Sequence, residues 1–131
     1  MGEVLFTPFS ILKFSGIHIG GVAGAVSYLA DGGLSASLLA TAQDVPFPAR
    51  TLRNLRVKAS SNPLAAALVV TVYKNGSATS LTATITTAST ALFTDITNSV
   101  VFTSGDLFDL RLDSTAAGVA TALLSATIEV H

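Results

Sequence analysis

Few side chains in this 131-residue chain are of the types that do chemistry, and those few are scattered. Of the two histidines, His18 stands between Ile17 and Ile19 and on a strand points opposite to them, which reads as a surface or interface residue rather than a base. His131 reads as a mobile terminal residue. With no Cys there is no thiolate nucleophile, disulfide framework or Cys-based zinc site. The one acidic group is Asp106, Asp109 and Asp113, with Asp95 nearby. Calcium takes hard oxygen ligands, but EF-hand spacing is lacking. Asp109 and Asp113 fall on one strand face beside Arg111, so a solvated charged face is expected, with a calcium site as the alternative. Asp106, after Gly105, reads as a turn residue. Catalysis needs a nucleophile with a base, a convergent carboxylate pair or a metal cage, and the sequence is poor in all three. The expectation is a protein without enzymatic activity, cofactor or metal.

Binding chemistry is better represented. Arg50, Arg53, Arg56 and Lys58 place four of the seven positive charges within nine residues. Such a run steers anionic partners, and it reads first as a solvated strand face with inter-subunit ion pairs, then as a contact for an acidic protein surface or glycan. Nucleic acid is not expected, because the net charge is −1 and no aromatics interleave with the run. Tyr28 and Tyr73, with no Trp, make a weak case for sugar stacking. Asn75-Gly76-Ser77 has the form of a glycosylation acceptor, but Asn-Gly is what a type I′ turn demands, and the turn is the expected reading.

These residues need elements to position them, and the organising one spans residues 68–86, two β-branched runs joined at Asn75-Gly76. The inward face is Leu68, Val70, Val72, Leu81, Ala83 and Ile85. The outward face carries Thr82, Thr84 and Thr86, a polar uncharged strip suited to a neighbouring subunit. Upstream, residues 52–60 alternate with Leu55, Val57 and Ala59 in and Arg56 and Lys58 out. Residues 43–50 hold Pro46 and Pro48 and read as a loop crossing between sheets. Residues 88–95 read as a loop and 99–103 as a strand. Phe108, Leu110 and Leu112 alternate with Asp109, Arg111 and Asp113, residues 114–118 turn, and Leu124, Ala126, Ile128 and Val130 face inward on a last strand.

The first 42 residues are harder to place. Phe6, Phe9 and Phe14 anchor residues 1–15, either as a first strand of the sandwich or as an arm that packs on a neighbouring subunit. Residues 16–42 carry Gly16, Gly20 and Gly24 at the spacing of membrane helix contacts, but Asp31-Gly32-Gly33 interrupts the apolar run short of the roughly 20 residues a span requires. Two strands, near 23–29 and 35–41, are the better reading. The N-terminus lacks a basic segment followed by an apolar one, so no secretory signal is expected, and Phe6 occupies the place where myristoylation needs Ser or Thr.

The count is about eight strands without a helix in a single domain over residues 1–131, with residues 1–15 as an optional arm. That is an all-β antiparallel two-sheet sandwich, of jelly-roll type, with an immunoglobulin-like sandwich as the alternative. Only 11% of residues are charged, and Ala, Ser, Thr and Val dominate, so little discourages association. The succession PARTLRNLRVKAS, VTVYKNG, a Thr-rich return strand and VVFTSGDLFDLRLDS resembles the small jelly-roll modules of tailed bacteriophage virions, found in capsid decoration proteins, head fibres and tail-fibre tips. The resemblance covers residues 50–131. It implies a structural protein of the virion surface, made in the host cytoplasm, that forms homotrimers and contacts the major capsid protein, with a fibre-tip or receptor-binding module as the alternative. Contact residues are then expected among Phe6, Phe9, Phe14, Arg50, Arg53, Arg56, Thr82, Thr84 and Thr86.

Overall fold

The computed structural model describes residues 10–20, 25–31, 45–64, 66–114 and 120–131. Nine strands run through them: β1 (Ser10–Gly20), β2 (Ala25–Asp31), β3 (Val45–Phe47), β4 (Arg50–Ser61), β5 (Leu68–Lys74), β6 (Ser77–Ile85), β7 (Leu92–Phe102), β8 (Asp106–Ser114) and β9 (Ala120–Val130). All pairings are antiparallel, in the order β6-β5-β8-β2-β1-β9-β4-β7, with β3 beside β8. The path forms a β-sandwich of two four-stranded sheets, β2-β8-β5-β6 and β1-β9-β4-β7, joined where Phe14 and Ser15 of β1 meet Asp31 and Ala30 of β2.

The Asn75-Gly76 turn has φ of 51° and 78° at its two central residues, as a type I′ hairpin requires. All six inward positions expected of that hairpin are buried. Buried side chains of both sheets meet in one core, at whose end Phe14, Phe47, Phe102 and Phe108 pack with ring centroids 5.2–6.0 Å apart. Such aromatic pairs add about 0.5–1.5 kcal/mol each beyond the area they bury. Phe14 therefore belongs to the core, at 5% exposure, and is not available as a subunit contact. Phe6 and Phe9, the strand expected at 35–41 and the turn residues 115–118 lie outside the described residues.

The structure corrects four expectations. Residues 45–47 form β3, pairing with Asp106 to Phe108. Pro46 is tolerated there because a three-residue strand along the rim of β8 can spare a ladder donor. Residues 92–98 belong to β7, so the preceding loop is residues 86–91, and Thr86 lies beyond β6, its carbonyl accepting from Ser89 N at 3.0 Å. Residues 16–20 complete β1 rather than a separate segment. His131 is fixed, exchanging backbone hydrogen bonds of 2.8 and 2.9 Å with Thr51. Among the described residues no helix is long and apolar enough to cross a membrane.

Candidate binding face

One β-bulge determines which cations share a face. In β4 Leu52 points inward and Arg53 outward, so regular alternation would turn Leu55 out and Arg56 in. Asn54 breaks the alternation: it sits at φ 55° where the register with β7 and β9 shifts, and the chain resumes with Leu55 buried and Arg56 outward. Arg53, Arg56 and Lys58 thus line the outer face of the β1-β9-β4-β7 sheet. Register adds Lys13, which pairs with Thr127, itself opposite Arg56, which in turn pairs with Thr94. The Lys58 row runs from Ser125 to Leu92, and the Arg53 row from Glu129 to Ser99. Arg50 stands apart at the start of β4 and bonds to the carbonyl of Ala49 at 2.8 Å.

Glu129 contributes a carboxylate to this face. It accepts from Arg56 Nη1 and from His131 Nε2, each at 3.0 Å. Hydrogen bonds from His131, Asn54 and Arg56 hold its carboxyl well below the usual range, at about 2. Arg53 Nη2 lies 3.1 Å from His131 Nδ1. A guanidinium only donates, so Nδ1 accepts and Nε2 carries the proton given to Glu129. With both ring nitrogens engaged, His131 ties Arg53 to Glu129. Lys58 bonds to the Thr90 carbonyl. A shallow groove of about 210 Å³, lined by Arg56, Lys58, Leu92, Ser125, Ala126 and Thr127, crosses the face. Apolar side chains accompany it: Leu92 is 57% exposed, Val101 59% and Ile11 52%.

The opposite outer face is different. Thr82 and Thr84 are exposed there, but the Thr82 hydroxyl is committed, 3.0 Å from the Val70 carbonyl and 2.9 Å from Thr71 Oγ1. Arg111 grips Asp113 through Nε and Nη2 at 2.9–3.2 Å, and its guanidinium lies 5.0 Å from the centre of the Tyr73 ring. Tyr28 is a backbone partner of Arg111, and a cation already occupies a face of Tyr73.

The four aspartates do not converge. Asp109 is buried rather than solvated, and Asp113 is tied to Arg111. Asp106 binds between two turns, to Asn75, Thr103 and Lys74, while Asp95 lies in the other sheet. Among the described residues no group of three His, Cys, Asp or Glu is placed to hold a metal.

The alternation expected of β4, with Arg56 and Lys58 outward, is observed, while local sequence carried no sign that Lys13, Glu129, His131, Leu92 and Val101 reach the same face from β1, β7 and the end of the chain at β9. The available signal was the Val100-Val101 pair: neighbours in a strand face opposite ways, so one of two adjacent valines must be outward. No protein-family model matches the chain, and no curated protein matches it either.

Proposed function

We propose that this protein is a non-enzymatic structural protein of a phage virion, a decoration or cement protein of jelly-roll type that assembles as a homotrimer and binds the capsid exterior. One observation carries the reading: a sheet face on which exposed Leu92, Val101 and Ile11 lie among the rows that hold Arg53, Arg56 and Lys58. The two sets do different work. An apolar side chain fully buried in a contact contributes about 1.5–3 kcal/mol, whereas an exposed ion pair contributes about 0–1 kcal/mol. The apolar residues therefore supply affinity, and the cations orient an acidic partner. The low charge of the chain and its resemblance to virion modules support the same reading.

Light scattering at micromolar concentration, with co-sedimentation on particles stripped of surface proteins, tests it. A trimer that binds the particles is expected. Leu92→Lys and Val101→Lys should leave the fold intact and reduce binding at least about tenfold, while Thr84→Lys separates the Thr strip as a trimer contact from this face. A monomer that ignores particles refutes the proposal, and adhesion to host cells instead of capsids would favour the receptor-binding alternative.

A further inference from the structure

Asn75-Gly76 is the single Asn-Gly step in the chain, and both residues are exposed. Such a step is chemically labile. The Gly nitrogen, once deprotonated, can attack Cγ of the Asn side chain: a C–N bond forms, the Cγ–Nδ2 bond breaks, and ammonia leaves with a proton from water. Water then opens the five-membered imide at either carbonyl, giving aspartate or isoaspartate. Nothing lies within 4 Å of a Cβ placed on Gly76, so neither the attack nor the entry of water is hindered from that side.

The fold restrains the other reactant. Asn75 Oδ1 accepts from Leu107 N at 2.9 Å, and Nδ2 donates to Asp106 Oδ1 at 3.0 Å. Its backbone N donates to the Leu107 carbonyl at 2.9 Å. Asp106 is itself pinned, its second oxygen accepting from Thr103 N and Oγ1 at 2.8 and 2.9 Å, with Lys74 Nζ 3.4 Å away. Both ends of the carboxamide are thus drawn toward the neighbouring turn.

We propose that Asn75 is a self-modification site held shut by this clasp: deamidation occurs only when the 75–76 turn opens away from Asp106, and once it occurs the clasp cannot close again. The product puts an oxygen where Nδ2 had donated, so two carboxylates meet at hydrogen-bond distance with Lys74 as the nearest cation among the described partners. In the intact clasp hydrogen bonds from Asn75 and Thr103 hold the Asp106 carboxyl far below the usual range; deamidation removes the first of these donors and sets a second carboxylate in its place, and in mildly alkaline buffer both stay charged. The device is one-way, with water as the co-reactant and ammonia as the leaving group. It does not depend on the proposed virion role.

Incubation of the full chain in mildly alkaline buffer, followed by peptide mass spectrometry across 75–76, tests the proposal. Deamidation of the folded protein is expected to be at least about tenfold slower than in denaturing urea, and Asp106→Ala, confirmed folded by circular dichroism, should recover about that factor. Equal rates in folded and unfolded wild type overturn it, as does a folded Asp106→Ala variant that reacts no faster. Should that variant not fold, the wild-type comparison still decides the first half. Hydrogen exchange on Asn75→Asp decides the second: Leu107 and Thr103 amides are expected to lose protection, and unchanged protection refutes the one-way opening.

Discussion

Asp95 ties β7 to β6 through several polar groups, although it lies well inside the protein at 6% exposure. Its Oδ1 accepts from the Thr97 and Asn98 amides, both at 3.1 Å, and from the Thr97 hydroxyl. Its Oδ2 accepts from Asn98 Nδ2 at 2.9 Å and from the Thr82 amide at 3.1 Å. Burial pushes the carboxyl pKa up, but donors from Asn98, Thr82 and Thr97 outweigh it and bring the group below its ordinary value. The Thr82 contact crosses from β7 to β6, the two ends of the strand path, so a side chain bridges two edge strands that are not paired through their backbones among the described residues. Asp95→Ala should cost about 2–4 kcal/mol in urea unfolding, since it strands several amides together. Asp95→Asn should recover part of that loss. A cost below about 1 kcal/mol would mean that water replaces the carboxylate freely.

Among the elements, β4 is governed by Asn54, whose φ of 55° lies where Asn is tolerated and β-branched residues are strained. Asn54→Gly keeps the backbone conformation and gives up only the Asn54 bond to Glu129, whereas Asn54→Val should lose that bond and about 1–2 kcal/mol more to backbone strain and displace Arg53 and Arg56; equal stability of the two variants would refute this account. The bulge also marks the limit of what alternation reveals. In β5, β6 and β8 the inward apolar residues follow period two and Asn75-Gly76 closes the hairpin, although the β5–β6 register shifts between Thr71 and Tyr73, so strands and inward residues were legible in the sequence. In β7 they were not. Leu92 and Val101 point outward, and Asp95 takes an inward position, while residues 96–98 arch opposite Asn54 and leave Ile96 67% exposed. β3 was hidden because its middle residue is a proline. The candidate face was partly legible, since Arg53 and Arg56 are local to β4, but Lys13 and Glu129 join them only through pairings of β1 and β9 that no local window contains.

For the molecule as a whole, stability should fall in acid. Asp95, Asp106 and Glu129 all have folded-state pKa values below their ordinary 3.8 to 4.5. The unfolded chain therefore binds more protons than the folded one at low pH. Their contribution is complete above about pH 5 and is lost progressively as pH falls through the folded values, toward pH 2 and below. The urea midpoint should be lower at pH 3 than at pH 6, and the Glu129→Gln variant should show a shallower decline; a midpoint that is flat or rises on acidification refutes the assignment. Because charges are few, long-range repulsion adds little to this, and the decline reports these local hydrogen bonds.

β9 lies in the middle of its sheet, between β1 and β4, with Ser10 paired to Val130 and Leu52 to Val130 from the other side. On the ribosome it is the latest of the nine strands to emerge. Until then β1 has only its short junction with β2, and β4 has only β7. A nascent chain therefore waits with two long unpaired strand edges, and contacts so distant in sequence form slowly. Its yield in the cell should depend on chaperone capacity more than its final stability would suggest, and slowing translation across residues 115–131 would prolong that exposure.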